Sequence, residues 1–304
     1  MREVAADVAA ERVTRAATVR DPLVVARHVG GRALLHLFTI VVGALLMVPF
    51  AWALIGSFKP ETEIKTLPPT FWPSHFVWGN YVQVWISSYF TNWVANTFLI
   101  TIIATIGAVL TAAFAGYAFA RLRFPGREIF FGMTIATMML PYEVTLIPTY
   151  LEYYLLGWLN TFLPLTVPYW LGGGAFFIFL FRQFFMTIPI DLDEAAKIDG
   201  ADHFQILRLI VLPLSLPVLA AAGILSFIGN WNSFVLPLII LNDPQKFTLS
   251  IGLRYFQMQP SGDAMPTDDL LLAGSILMTI PIIAIFFVGQ RYFVKGVVLS
   301  GLKG

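Results

Sequence analysis

The chain has no cysteine and little charge. Without a cysteine among its 304 residues, disulfide cross-links, thiolate nucleophiles and cysteine-ligated metals are all excluded. Only 12% of residues are charged and the net charge is +1, so the concentrated basic surface that a nucleic-acid partner needs is missing. The four histidines, His28, His36, His75 and His203, are scattered without metal-ligand spacing. No Gly-x4-Gly-Lys-Ser/Thr loop occurs, so the phosphate cradle of the common nucleotide-binding motif is absent. No repeat of ~20–50 residues and no low-complexity linker divides the chain.

What is abundant is apolar. The residues are 58% hydrophobic, with 27 Phe and 8 Trp, a balance that points to a polytopic helical membrane protein. In hydrocarbon every backbone N–H and C=O must pair internally, so apolar runs near ~20 residues read as helices. About six are predicted, over Ala33–Ser57, Asn92–Ala120, Ile129–Leu151, Phe162–Phe185, Leu214–Leu241 and Leu270–Phe293. The expected fold is therefore all-α, a bundle of about six spans. Pro49, Pro141, Pro148, Pro168, Gly172, Gly173, Gly174, Pro237 and Pro281 fall inside these runs and predict kinks or breaks. No predicted span interior carries an aspartate, which removes the paired-aspartate chemistry of an intramembrane protease.

Lysine and arginine set the expected orientation, because basic connections stay cytoplasmic. Six lie in the N-terminal tail (Arg2, Arg12, Arg15, Arg20, Arg27, Arg32), three each in the second–third connection, the fourth–fifth connection and the C-terminus, and only four elsewhere (Lys59, Lys65, Lys246, Arg254). Both termini are expected to be cytoplasmic. Trp72, Trp78, Trp85, Tyr89 and Trp93 cluster in the first external connection, where interface-seeking aromatics belong. The tail, residues 1–31, has no strong apolar face and no assigned function.

One polar segment lies between two hydrophobic ones. Pro189 breaks the chain after the fourth span, Asp191 or Asp193 can cap a short helix with an acidic first turn, and Gly200 can end it. Asp202 can then cap a second helix through Phe204, Ile206, Leu207, Ile210 and Val211 up to Pro213. The product is a helix–glycine–helix elbow. Its acids are repelled by anionic headgroups, so the first helix faces protein or water rather than the bilayer.

The pattern Glu194-Ala195-Ala196, Gly200 and Ile210-x-Leu212-Pro213 resembles the coupling loop of permease subunits from bacterial ATP-binding-cassette importers. The surroundings resemble the carbohydrate branch related to the maltose system: Gly116 through Arg121 with Phe124-Pro125-Gly126, Phe181 through Phe185, Ala196-Lys197-Ile198-Asp199-Gly200-Ala201, Trp231 through Phe234, and Gln290 through Gly296. The likeness covers roughly 92–304. It implies a permease core over 92–304 whose coupling loop is 189–213; the basic residues and the first apolar run give, before it, an expected cytoplasmic tail over 1–31 and a first span with its external connection over 32–91.

The resemblance further implies that Glu194, Ala195, Ala196, Asp199, Gly200, Ala201, Leu212 and Pro213 build the surface that meets an ATPase, Glu194 contacting a basic residue there. It implies a second homologous permease, a dimer of ATP-binding-cassette subunits, an extracytoplasmic solute-binding protein and a sugar substrate as partners. ATP and Mg are then bound by the partner subunits and no cofactor by this chain, a non-catalytic multi-pass subunit of the bacterial inner membrane. Ser300, Gly301, Leu302 and Lys303 resemble a tail that reaches between the ATPases, and Gln257 through Asp263 an external loop facing the binding protein or plain solvent.

Polar groups inside spans cost ~2.5–3.5 kcal/mol for a charge at the helix centre, so each needs a reason. Glu143, beside Tyr142, either faces an internal vestibule or sits at the outer interface. Asn230, Trp231 and Asn232 either offer amides and an indole face to a sugar or hold neighbouring helices. A permease for another solute such as glycerol phosphate, a stand-alone carrier and an intramembrane enzyme are the competing readings; a self-sufficient carrier has no use for a docking elbow.

Overall fold

The computed structural model describes residues 22–86, 89–258 and 268–301, with side chains described over 31–86, 89–255 and 268–290. The chain divides into two compact units, the first ending at Ile55 and the second running from Gly56. The first is α1 (Pro22–Gly56), an unbroken apolar helix that tolerates Pro49 within it.

In the second unit, α2 (Phe90–Arg121) is the central element. Ala108, Ala112 and Gly116 recur at every fourth position and place a flat, small-residue face on one side of it. Against that face packs α5 (Ala175–Thr187), reached through α3 (Arg127–Thr137) and α4 (Tyr142–Leu155). α6 (Asp191–Ile198) follows, then α7 (Leu216–Trp231) and α8 (Asp268–Gly301). Among the described residues every regular element is helical. Among the described residues four helices are long and apolar enough to cross a membrane, or up to six if each of two bent pairs forms one span.

Three predicted spans are not continuous. The third breaks after Thr137 and restarts at Tyr142 with a 98° bend, because Pro141 holds Leu140 away from helical geometry. The fourth is interrupted at Gly172–Gly174, where Gly173 (φ +65°) and Gly174 (φ +89°) adopt left-handed geometry. The fifth, expected to run to Leu241, stops at Trp231; the chain turns and resumes as a short helix over Val235–Ile240.

Two apolar clusters hold the unit together. One gathers Trp93, Trp231, Ile240, Leu249 and Leu270. Trp93 was expected at the membrane interface, yet it is fully buried and its indole N–H donates to the Pro244 carbonyl at 2.7 Å. Thr97 completes the attachment by accepting the Leu249 N–H at 2.7 Å. The second cluster, Ala112, Tyr117, Phe181, Phe185, Ile188, Ile206, Leu207 and Val211, lies at the end of α2 and α5 where the polar segment begins.

Candidate functional site

The polar segment folds as the elbow expected from its sequence. α6 ends in a left-handed turn: Gly200 has φ +85°, its N–H donates to the Lys197 carbonyl at 3.0 Å, and the Ala201 N–H donates to the Ala196 carbonyl at 2.9 Å. This is the six-to-one and five-to-two closure by which a glycine satisfies the last carbonyls of a helix. Ala196 and Ala201 then pack on the second cluster. Asp202 caps the next helix as expected, accepting the Gln205 N–H at 2.7 Å while Gln205 accepts the Asp202 N–H at 2.8 Å.

That second arm seats the elbow on the bundle. Ile206, Leu207 and Val211 are buried among Phe181, Phe185 and Ile188. Each such side chain contributes about 1.5–3 kcal/mol by leaving water. A π turn over Leu207–Val211 widens the helix just before Pro213, whose ring crowds the carbonyl one turn back and lacks an N–H to pair with it. Leu212 is half-buried and Pro213 exposed.

The cap expected from Asp191 or Asp193 is not made. Ile190 occupies the cap position without a side-chain bond, and its carbonyl accepts the Asp193 N–H at 2.9 Å. Asp193 instead turns inward and meets Arg121, the last residue of α2, with 3.6 Å between Oδ2 and Nε. Their side chains are 3% and 6% exposed. Arg121 also donates from Nη2 to the Ile188 carbonyl at 2.7 Å, closing the loop between α5 and α6. Asp193 Oδ1, Arg121 Nε and the Tyr117 hydroxyl are buried without a hydrogen-bond partner. The pair is thus a charge contact with little hydrogen-bond support, and it ties the elbow to the end of the central helix. Sequence reasoning missed it. The signal was an arginine closing a long apolar helix, which needs an acid wherever it is not free to reach water.

With Asp193 turned in, the opposite side of α6 faces out. Glu194, Ala195, Lys197 and Asp199 are exposed, and Ile198 presents an apolar side chain that is 87% exposed. Small, acidic and apolar groups share one short rigid surface, with Gly200 exposed at its end.

The remaining candidates are placed elsewhere. Tyr142 and Glu143 are exposed at the start of α4, where a carboxylate also complements the helix N-terminus. Trp231 is 1% exposed, donates its indole N–H to the Met278 carbonyl at 3.0 Å and stacks on Phe227, so it is a packing residue in the bundle rather than a sugar platform. Asn230 and Asn232 donate back to the Ser226 and Ile228 carbonyls of their own helix at 2.9 and 3.0 Å. Ser300 and Gly301 lie in the last turn of α8 with no described side chain, and Leu302 and Lys303 fall outside the described residues, as do residues 259–263 of the external loop.

A family model described as binding-protein-dependent transport system inner membrane component matches residues 108–299. The arabinooligosaccharides transport system permease protein AraQ of Halalkalibacterium halodurans is 33% identical over 263 residues, 86% of this chain and 92% of that protein. The sn-glycerol-3-phosphate transport system permease protein UgpE of Yersinia enterocolitica is 34% identical over 271 residues, 87% of this chain and 95% of that protein. Among solved structures, a bacterial ABC transporter involved in the import of the acidic polysaccharide alginate matches with a TM-score of 0.76 at 24% identity, covering 88% of this chain and 97% of that one, a likeness of fold.

Proposed function

Because the chain belongs to the binding-protein-dependent transport system inner membrane components, a family of ABC importer permeases, we propose that its elbow is the contact through which ATPase subunits drive it. The observation that carries this is the outward face of α6, with Glu194, Ala195 and Ile198 exposed while Asp193 and the second arm anchor the same element to the bundle. A surface both presented and rigidly tied is what transmission of movement requires. The partners are a dimer of ATP-binding-cassette subunits, which bind ATP and Mg, a second homologous permease, and an extracytoplasmic solute-binding protein. Both termini lie on the cytoplasmic side of the inner membrane, in keeping with the basic tail and connections.

Alternating access then follows from two states with different contacts at the elbow. Nucleotide-driven closure of the ATPases moves α6, and the buried Arg121–Asp193 pair carries that movement into α2. We assign a sugar as the cargo, supported by the arabinooligosaccharide relative and by the carbohydrate-branch residues around the elbow; the glycerol-3-phosphate relatives define the alternative. Glu194→Lys places a cation where a basic partner is expected. Disrupting such a charge contact costs about 2–5 kcal/mol, so ATP-driven uptake into proteoliposomes falls by tenfold or more. Unchanged uptake in this variant contradicts docking through α6.

A further inference from the structure

Three interruptions of the helical backbone converge on one place. The break between α3 and α4, the turn after α4 where Gly157 and Asn160 have positive φ, and the glycine break before α5 surround a cleft of about 650 Å³. Its volume is within the ~300–1,000 Å³ range of small-molecule sites. Its wall carries Thr134, Thr137, Glu152, Tyr153, Trp158 and Gly172. Irregular backbone within apolar spans is tolerated where it is covered by protein or lines a watery cavity, and discontinuous helices are where transporters form substrate sites. A carboxylate on the wall favours the watery case, because a charge facing lipid is expensive.

We infer that this cleft is a solute subsite of the translocation path that accepts a neutral, hydroxyl-rich ligand and rejects a phosphate. The inference rests on the sugar-import reading above and assigns it residues. Glu152 can accept two sugar hydroxyls. Thr134 and Thr137 donate to the Phe130 and Thr134 carbonyls at 2.9 and 2.7 Å, which leaves their oxygens free to accept as well. Trp158 is half-buried and stacked on Tyr153, with centroids 5.9 Å apart and planes 16° from parallel, so the indole is held as a fixed plate for the C–H face of a sugar ring. None of the residues lining the cleft is cationic, and Glu152 repels an anion. Glu143 and the Asn230–Asn232 group lie outside this lining.

The absence of native cysteine makes the test direct. Thr137→Cys is introduced on the cleft wall, and Leu155→Cys at the end of α4, a position 82% exposed and outside the lining, serves as the control. The complete transporter with its binding protein is placed in proteoliposomes, trapped with vanadate during turnover, and challenged with a membrane-impermeant cationic methanethiosulfonate. Uptake of a panel of neutral oligosaccharides headed by arabinotriose is measured in parallel on the unsubstituted protein. Thr137→Cys is expected to react, and the accumulated oligosaccharide, at about ten times its Kd, to slow that reaction about tenfold. Neither sn-glycerol 3-phosphate on Thr137→Cys nor the sugar on Leu155→Cys should have an effect. A dry Thr137→Cys, or one modified equally fast with sugar that the transporter demonstrably accumulates, overturns the subsite and leaves the import reading standing. Equal protection by glycerol 3-phosphate overturns the neutral-ligand assignment. Accumulation of no panel member removes the sugar reading instead.

Discussion

Asp193→Ala is expected to destabilise the elbow by about 3–5 kcal/mol, more than loss of any exposed residue of the same helix. The reason is the charge it leaves behind. Arg121 keeps its guanidinium 6% exposed, with the Ile188 carbonyl as an acceptor and no carboxylate beside Nε. Replacing both partners by apolar groups, Arg121→Met with Asp193→Leu, removes the unpaired charge along with the attraction, and buried pairs replaced in this way are often no less stable. The double variant is therefore expected to be more stable than the single one, as read by thermal unfolding and by proteolysis within 189–213 in the purified complex. A single variant as stable as the unsubstituted protein shows that the pair does not anchor α6. The double variant also separates stability from transmission: if the pair carries movement, restored stability comes without restored coupling of hydrolysis to uptake.

The second large effect is expected at Gly173. A Cβ there meets the Ala108 carbonyl oxygen at 2.4 Å, Thr111 Oγ1 at 2.7 Å and the Ala112 Cβ at 2.8 Å, and the residue has φ +65°. Two penalties coincide. The left-handed conformation costs a side-chain-bearing residue about 1–2 kcal/mol, and overpacking a close helix contact costs about 1–3 kcal/mol, with no flexible side chain to yield because the nearest atom is backbone. Gly173→Val should therefore lower the thermal stability of the complex sharply. Gly172→Ala next to it is the control: nothing lies within 4 Å of its Cβ and its φ is not left-handed, so little change is expected. Equal effects at the two positions contradict the close approach of α2 and the glycine break.

The elbow was legible because its signals are local. A glycine at a helix end, an aspartate at a helix start and a proline beyond an apolar stripe each fix backbone geometry within a few residues, and Gly200 and Asp202 behave as read. The spans were legible as apolar runs, but length and hydropathy do not mark where a run bends. Pro141 and Gly172–Gly174 gave warning of two breaks; Pro237 warned of a third, but the fifth span stops earlier, at Trp231, where the polar Asn232 and Ser233 interrupt the apolar run. Trp93 and Trp231 show the complementary failure. Trp93 was read by residue type as an interface aromatic and Trp231 as a candidate sugar platform, yet both are buried in one apolar cluster, where the distant Pro244 and Met278 carbonyls accept their N–H groups. The inward turn of Asp193 is of the same kind: composition placed five acids on a polar segment, but only the packing of α2 against α6 decides which of them leaves water. The cleft, assembled from segments 134–175, has no signature at any single position.

The account depends on the outward face of α6 being covered by an ATPase subunit in the working assembly. Ala195→Cys, in a chain with no other cysteine, measures this directly through its rate of reaction with a water-soluble maleimide. In the isolated permease the thiol should react freely, and on assembly with the ATPase subunits its reaction should be suppressed in step with the appearance of ATP-driven uptake. A thiol that stays fully reactive in an assembly competent for uptake places the engine elsewhere and contradicts the account.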